Sequence, residues 1–433
     1  MSLFLHCFRR LPSNTFISHN SSPSRLLICK QCIQEVNLTT VKSSRTFYSA
    51  RGKSLRFCLS PPKAWMISLR KAATVSNSLE ISAQAQKIVG TWLVGCAGMC
   101  FGAVILGGVT RLTESGLSMV DWKLVKDMKP PGSEAEWIEE FERYKQFPEY
   151  QQMSNEKEMT LSDFKFIFYM EWAHRMWGRT TGMVFLLPAL YFLRKGWVSK
   201  ALKPRLAAFA GLLGFQGFLG WYMVKSGLEE KPGPNDVARV SQYRLAAHLG
   251  SAFILYTLFL WQGLTHLLTP IQMPNVKSVN RLRGLAHGVM TAVFVTALSG
   301  AFVAGLDAGL TYNSYPKMAD KWIPDDLWAF SPKWKNIFEN PTTVQFNHRH
   351  LAESTVVLIG GFWWMAKKAP MHPRARLAVN LLLGMAFGQA TLGITTLLTY
   401  VPTPVAAVHQ SGSLVLLSFA VWVAHELRRL PKL

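Results

Sequence analysis

Eight stretches of this chain are apolar and long enough to cross a lipid bilayer, which takes about 20 residues in a helix. They lie near residues 88–109, 170–194, 205–224, 243–267, 284–305, 348–366, 376–399 and 404–427. Lipid cannot satisfy backbone polar groups, so each segment that crosses it is expected to be a helix. The sequence therefore predicts an all-α integral membrane protein with eight transmembrane helices.

The first 75 residues differ in composition from the rest of the chain. They contain twelve Lys or Arg and twelve Ser, but one acidic residue, Glu35. Such an Arg-rich, Ser-rich and acid-poor segment is typical of an organelle transit peptide. We predict a mitochondrial transit peptide over residues 1–75, with a disordered basic tail as the alternative. Because this segment carries +11 (12 − 1) of the net charge of +22, the basic balance does not indicate a nucleic-acid partner.

The charges of the loops predict which way the helices cross the membrane. The loops after the second, fourth and sixth apolar stretches contain twelve basic residues and no acidic one. The first loop, residues 111–165, has twelve acidic residues against eight basic ones. Basic loops stay on the side from which a membrane protein is inserted, so we expect these loops and both termini in the matrix. The sequence thus predicts a multi-pass protein of the mitochondrial inner membrane, with the chloroplast as the competing location.

The chain contains an internal repeat. The motif Glu-Trp-Ala-His-Arg at residues 171–175 opens the second apolar stretch, and Gln-Phe-Asn-His-Arg at 345–349 opens the sixth. A Gln-x-x-x-Gly segment at 216–220 in the third stretch is matched by one at 389–393 in the seventh. The matching order indicates that helices one to four are repeated as helices five to eight.

This repeat predicts the organisation of the chain. Four helices are an even number, so both repeats cross the membrane in the same direction and are related by an axis along the membrane normal. We expect two parallel-repeat four-helix bundles, residues 85–267 and 284–428. A linker at residues 268–283, which contains two prolines, joins them.

Four histidines occupy matching positions of the repeat, each at the entrance of an apolar stretch: His174, His248, His348 and His409. Polar groups at membrane depth are costly and tend to mark functional sites. Helical bundles build cofactor sites from facing side chains, and haem iron takes histidine as an axial ligand. We therefore interpret the four residues as two pairs of axial ligands, one pair for a haem in each half.

These histidines have two alternative interpretations. Each could be a polar residue that is hydrogen-bonded inside the bundle, or the pairs could bind zinc. Zinc is the weaker choice because no Cys or carboxylate cluster accompanies the pairs. Four further histidines lie toward the matrix ends of the helices and are interpreted as interfacial: His266, His287, His372 and His425. A second layer of haems would need partners on helices two and six, which have no second histidine there.

The two halves differ three residues before the first histidine, where one has Glu171 and the other Gln345. A spacing of three residues places Glu171 and His174 on one face of a helix. A carboxylate beside the first haem can accept a proton or stabilise a cation, so Glu171 is the predicted catalytic residue. The alternative is a structural carboxylate that pairs with Arg175.

These residues resemble those of the haem A synthase family, whose members have eight helices in two four-helix halves. The Glu-x-x-His-Arg motif at 171–175, His248, the His-Arg pair at 348–349 and His409 fall where that family has them. The resemblance covers about residues 85–428. The long N-terminal segment is similar to that of the mitochondrial branch. This chain lacks the outer-loop cysteine pair of some bacterial members.

The resemblance implies a reaction and an assignment of ligands. Family members oxidise the C8 methyl of haem O to a formyl group, which gives haem A for cytochrome c oxidase. By that analogy His174 and His248 hold the substrate haem, while His348 and His409 hold a haem b cofactor. The Glu171 and Gln345 difference agrees with one reacting half and one electron-transferring half.

The predicted synthase has two alternative functions and a set of expected partners. A di-haem b-type electron-transfer cytochrome and a haem carrier are the alternatives, and the pigments of the purified protein would separate them. The expected partners are haem O, the lipid bilayer, a ferredoxin-type electron donor on the matrix side, haem O synthase and a second copy of this chain. No nucleic-acid partner is expected.

Overall fold

The computed structural model describes residues 81–122, 129–153, 159–229 and 239–430. This part of the chain contains eight helices of 25 residues or more, one for each apolar stretch. In chain order they are α1 Ala83–Leu112, α2 Leu161–Arg194, α3 Leu202–Glu229, α4 Gln242–Leu267, α5 Lys277–Gly305, α6 Pro341–Lys367, α7 Pro373–Leu398 and α8 Thr403–Leu427. The predicted transit peptide, residues 1–75, lies outside the described residues.

Most helices are longer than the apolar stretches that predict them. α2 begins at Leu161 rather than near residue 170, because Thr160 caps it. The Thr160 hydroxyl accepts from the Asp163 amide (3.2 Å), and the Asp163 carboxylate accepts from the Thr160 amide (3.0 Å). α5 begins at Lys277, inside the predicted linker, so residues 268–276 connect α4 to α5. Apolar composition marks the part of a helix that meets lipid, whereas capping marks where the helix ends.

A helical hairpin, residues 134–153, explains why α2 starts early. It consists of the short helices Glu134–Tyr144 and Pro148–Met153. Trp137 packs edge-on against Phe168 and Phe141 stacks on Phe164, each with ring centroids 5.0 Å apart. These contacts bury the first turns of α2 under protein, so those turns form without needing lipid around them.

Hydrogen bonds fix the connection between α5 and α6 to the start of α6. Asn340 caps α6, because its side-chain oxygen accepts from the Thr342 amide (2.9 Å). The same side chain donates to the Asp326 carbonyl (2.7 Å). The loop before α6 is therefore tied to the start of that helix.

The eight helices pack as two rings of four. In the first ring α1 contacts α2, α2 contacts α3, α3 contacts α4, and α4 returns to α1. Helices α5 to α8 repeat this order in the second ring. Between the rings α1 packs against α8, α5 packs against α4, and α4 also contacts α8. This reciprocal pattern is what two repeats related by an axis parallel to the helices produce.

Within the described residues, six helices are long and apolar enough to span a membrane: α1, α3, α4, α5, α7 and α8. Helices α2 and α6 carry the two histidine motifs, whose polar residues lower their mean hydropathy. Large apolar side chains also cover the outside of the bundle; Leu187 on α2 is 64% exposed and Val357 on α6 is 74% exposed. The regular structure of the described residues is helical, and a chain with several such helices is a multi-pass membrane protein.

Candidate functional site

The four histidines lie on α2, α4, α6 and α8, one on each helix. His248, His348 and His409 lie about two turns from the start of their helices. His174 lies almost four turns into α2, because the turns under the helical hairpin precede it. His174 therefore opens the apolar stretch, as its sequence indicates, but does not open the helix.

Within each half the two histidines are brought together from diagonal helices. α2 and α4 face each other across the first ring, with α1 and α3 on either side, and α6 and α8 have the same relationship in the second. His174 and His248 are nevertheless near enough to interact electrostatically, as are His348 and His409. Two imidazoles that approach from opposite sides of a bundle are what a planar macrocycle with two axial ligands requires.

A glycine of the preceding helix lies against the first histidine of each half. Gly107 of α1 contacts His174 so closely that a Cβ on Gly107 would lie 2.8 Å from the ring carbon Cε1. Gly300 of α5 lies at the matching position, where a Cβ would be 3.3 Å from Cε1 of His348. The rings occupy space that a side chain on these helices would fill.

The second histidine of each half has the same kind of neighbour. A Cβ on Gly393 of α7 would lie 2.9 Å from Cε1 of His409, which is closer than real Cβ contacts allow. A Cβ on Gly220 of α3 would lie 3.7 Å from Cε1 of His248, an ordinary van der Waals distance. The sequence marks Gly220 and Gly393 as repeat positions, and the structure gives them this contact.

Ser299 of α5 sets the proton position on His348. The Ser299 hydroxyl donates to the Thr296 carbonyl (2.7 Å), so its lone pairs face His348 Nδ1, also at 2.7 Å. Nδ1 is then the protonated nitrogen, and Nε2 keeps the lone pair with which a neutral histidine binds a metal.

Glutamines of α3 and α7 hold the second histidine of each half. Gln389 Nε2 donates to the His409 carbonyl (2.8 Å) and lies 3.1 Å from His409 Nδ1. Gln216 makes the matching contact in the first half: when its oxygen accepts from Ser251, its nitrogen lies 3.2 Å from His248 Nδ1. Each contact fixes the ring relative to its own helix. The repeated Gln-x-x-x-Gly segment thus supplies both the glutamine and the glycine next to a histidine.

Glu171 is buried, 3% exposed, and both of its oxygens are engaged. Oε1 accepts from Arg175 Nε (3.0 Å) and Nη2 (2.5 Å). Oε2 accepts from the Ser118 hydroxyl (2.9 Å) and the Met119 amide (2.7 Å). Arg175 in turn donates to the carbonyls of Met119 and Asp121, both at 2.8 Å. The pair therefore ties the loop at residues 113–122 to α2.

Gln345 and Arg349 hold the matching loop in the second half with the opposite polarity. Gln345 Nε2 donates to the carbonyls of Ala308 (2.9 Å) and Tyr312 (3.2 Å). Arg349 Nη2 donates to the Ser314 carbonyl (2.9 Å). The first half presents a carboxylate to an amide and a hydroxyl, whereas the second presents an amide to carbonyls. The difference between Glu171 and Gln345 is thus matched by the backbone groups that each one holds.

The two halves meet beside the histidines. Gln410, which follows His409 on α8, projects against Gly108 of α1. A Cβ on Gly108 would lie 1.9 Å from Gln410 Oε1, so there is no room for one. Because Gly108 follows Gly107, which contacts His174, the walls of the two histidine sites are joined at this point.

Four further histidines lie toward the other end of the bundle: His266, His287, His372 and His425. His425 is fully buried, with Nε2 3.1 Å from the Thr265 hydroxyl and Nδ1 2.9 Å from Arg428 Nη1. His372 caps α7, since its Nδ1 accepts from the Arg374 amide. Contacts of this kind position helix ends.

The sequence matches a known protein family over most of its length. The COX15-CtaA family, described as cytochrome oxidase assembly protein, matches residues 90–421 and so includes all four histidines. The chain is 58% identical to heme A synthase COX15 of Homo sapiens over 351 residues, 81% of this chain and 85% of that protein. It is 42% identical to heme A synthase COX15 of Saccharomyces cerevisiae over 389 residues, 82% and 79% of the two chains. It is 46% identical to heme A synthase of Rhodospirillum centenum over 347 residues, 80% and 90%. The chain therefore belongs to the COX15-CtaA family of cytochrome oxidase assembly proteins.

Proposed function

We infer that this chain is a haem A synthase, which oxidises a ring methyl of haem O, the one at C8, to the formyl group of haem A. Its similarity to proteins of that name from animals, yeast and bacteria, over about four-fifths of its length, supports this function. The observation that carries it is that the family match includes all four histidines on diagonal helix pairs. The di-haem cytochrome and the haem carrier are not favoured.

We assign the substrate, haem O, to His174 and His248 in the first half. What supports this assignment is how loosely His174 is held. Its buried Nδ1 has no hydrogen-bond partner among the described residues, whereas Nδ1 of His348 is held by Ser299. A histidine ring with fewer constraints suits a site in which the bound haem must arrive as haem O and leave as haem A.

We assign a haem b cofactor to His348 and His409, and the residues around them fit such a group. Ser299 leaves Nε2 of His348 free to bind iron, and Gln389 holds the backbone of His409 by donating to its carbonyl. When bound, haem b supplies electron transfer through its iron. The residues of the chain hold the rings in place and set the protonated nitrogen of His348.

For Glu171, predicted as catalytic, the contacts favour a positioning role. Both carboxylate oxygens are engaged by Arg175, Ser118 and Met119. We propose that Glu171 acts on the reaction by fixing the loop at residues 113–122 next to α2. His174, one helical turn further along α2, depends on the same part of that helix being held in place.

The chain is a multi-pass membrane protein of mitochondria, as its mitochondrial relatives and its apolar helices indicate. We propose that it lies in the inner membrane, that α2 and α6 also cross, and that both termini face the matrix. Protease added to mitoplasts should then cut the acidic loop at residues 111–165. Cleavage of this loop only from the matrix side would contradict the proposed topology. A ferredoxin-type electron donor, contact with haem O synthase and a homo-oligomer stay predictions.

Pigment extraction from the purified protein tests the function. A haem A synthase should yield haem O or haem A together with haem b, whereas a di-haem cytochrome would yield haem b alone. We expect His348→Ala and His409→Ala to lose the low-spin haem b spectrum, and His174→Ala to lose haem O and haem A. His266→Ala is the matched control, because His266 Nδ1 bonds to a carbonyl of its own helix.

A further inference from the structure

A groove of about 400 Å³ lies between α5 and α6 on the outer surface of the bundle. Leu285 of α5 and Val357, Gly361 and Trp364 of α6 contribute to its apolar wall. Arg281 is the charged residue in this lining. The side chains of Val357 and Trp364 are 74% and 58% exposed, so the protein leaves this wall uncovered.

A glycine lies in the groove, and two more lie on the adjoining side of α5. Gly361 on α6, and Gly284 and Gly288 on α5, each have open space where a Cβ would be, with no atom within 4 Å. Gly284 and Gly288 lie on the same side of α5 as Arg281 and Leu285, because residues three and four apart share a helix face. Gly361 therefore leaves part of the groove wall without a side chain, and Gly284 and Gly288 add none on the adjoining side of α5.

One end of the groove is basic. Arg281 lies in the second turn of α5, and Lys368 directly follows α6, so both lie at the same end of these antiparallel neighbours. Lys368 Nζ lies 3.6 Å above the Trp364 ring. Arg281 has no salt-bridge partner within the described part of the chain, and the connections at this end, 268–276 and 368–372, contain no acidic residue. Arg281 thus lines this end of the groove, Lys368 lies over its Trp364 wall, and the two connections beside them carry no acidic residue.

The first half has a different surface at the matching place. Aligning Gly107 with Gly300 places Ile88 opposite Arg281 (281 − 193), and aligning His174 with His348 places Leu187 opposite Gly361 (361 − 174). Leu187 and Ile88 are both exposed, at 64% and 38%. The repeat therefore offers a natural version of this surface in which the gap carries a leucine and the position of Arg281 carries no charge.

We propose that the groove binds one anionic phospholipid, with its phosphate at Arg281 and Lys368 and an acyl chain along Gly361 and Trp364. Any lipid can cover an apolar wall, but two cations at its end select a net negative head group. Basic pockets between membrane helices recognise anionic head groups in this way. A tryptophan at the interface is also typical of the boundary between acyl chains and head groups.

Native mass spectrometry of the full chain in detergent, with phosphatidylglycerol or phosphatidylcholine added at equal concentration, tests this site. We expect preferential retention of phosphatidylglycerol. Arg281→Gln and Lys368→Gln should each lower that retention about fivefold, since each removes one cation near the phosphate. Gly361→Leu, which copies Leu187, should abolish the preference by filling the groove.

Two matched controls separate the groove from general effects of charge and apolar bulk. Arg194→Gln changes the repeat counterpart of Lys368 (368 − 174), and Gly384→Leu adds a leucine in open space on α7 outside the groove. Both should retain phosphatidylglycerol like the natural chain. Helix content by circular dichroism verifies folding, and if Gly361→Leu fails to fold, the Arg281→Gln/Lys368→Gln double variant decides. Equal retention of the two lipids by the natural chain, or a preference that survives these changes, would overturn the proposal.

Discussion

Arg175 and Glu171 form an ion pair one turn apart on α2, in which the two side chains are only 3% and 4% exposed. Arg175 also donates to the backbone of Met119 and Asp121, and Glu171 accepts from the Met119 amide. The pair is thus a connector between α2 and the loop at residues 113–122. Removing one charge would leave the other buried without its counter-ion.

Glu171→Gln should therefore lower both stability and the formation of haem A. Breaking a buried pair by removing one partner costs about 3–5 kcal/mol, because the Arg175 guanidinium stays buried. The double variant Glu171→Gln/Arg175→Gln should be more stable than the sum of the single changes predicts. Thermal unfolding and haem A formation in Glu171→Gln, Arg175→Gln and the double variant measure this coupling. Additive single effects would show that the pair does not hold the loop.

Gly393→Ala should disturb the haem b site. Its Cβ would lie 2.9 Å from His409 Cε1, so the ring must move away from its position. The repeat counterpart Gly220→Ala is the control, because its Cβ would lie 3.7 Å from His248. Alanine favours a helix over glycine by about 1 kcal/mol, so a loss of haem would not reflect a weaker helix. Absorption spectra and haem content of the two variants check this, and equal loss in both would contradict it.

Ser299→Ala should weaken haem b binding by about 10–100-fold, the usual effect of removing the hydrogen-bond partner of a ligating histidine. Without the hydroxyl, His348 Nδ1 loses the acceptor that fixes its proton. Ser411→Ala is a suitable control, since the Ser411 hydroxyl donates to a carbonyl of its own helix. Titration of the haem-depleted protein with haem b measures the affinity. Unchanged affinity in Ser299→Ala would mean that this contact does not hold the ligand.

The helical hairpin should loosen as pH rises. Burial raises the pKa of Glu149 to about 8, although the Tyr144 hydroxyl donates to its carboxyl at 3.0 Å. A carboxyl whose pKa is higher in the folded protein contributes full stability below its pKa in the unfolded chain. That contribution is lost as pH rises through the folded value. The hairpin should therefore resist protease better near pH 6 than near pH 9.

Two variants isolate this effect of pH. Glu149→Gln carries no charge at any pH, so it should make the protease resistance of the hairpin nearly independent of pH. Glu139→Gln changes an exposed glutamate of the same hairpin and should keep the natural pH dependence. Protease activity is normalised at each pH with an unfolded substrate. The same pH dependence in all three proteins would rule out Glu149 as its source.

The helices and the four histidines were predictable because they depend on features that a chain carries locally. The length of an apolar run predicts a helix, and the repeat spacing predicts that His174 corresponds to His348. The start of α2 has one local signal, the Thr160 and Asp163 cap, but its early position also has a cause that is not local. The first turns of α2 are also covered by Trp137 and Phe141, which pack over Phe164 from more than 20 residues earlier in the chain.

The role of Glu171 could not be predicted from the local sequence either. Its spacing from His174 and Arg175 is visible in the sequence and places all three near one another on the helix. Which group the carboxylate contacts depends on where the loop at residues 113–122 runs, and no local pattern states that path. The contact of Gly107 with His174 was missed for a similar reason, although a glycine at matching places in both repeats is a signal that could have been used.

The contact of Gln410 with Gly108 has a consequence for how the two halves can be exchanged between relatives. A chimera that takes α1 from a relative with alanine at position 108 and keeps Gln410 would place two groups where there is space for one. The displaced glutamine directly follows His409, so a substitution in the first half would change the site in the second. The repeats are alike in architecture, but at this contact a change in one half requires a compensating change in the other.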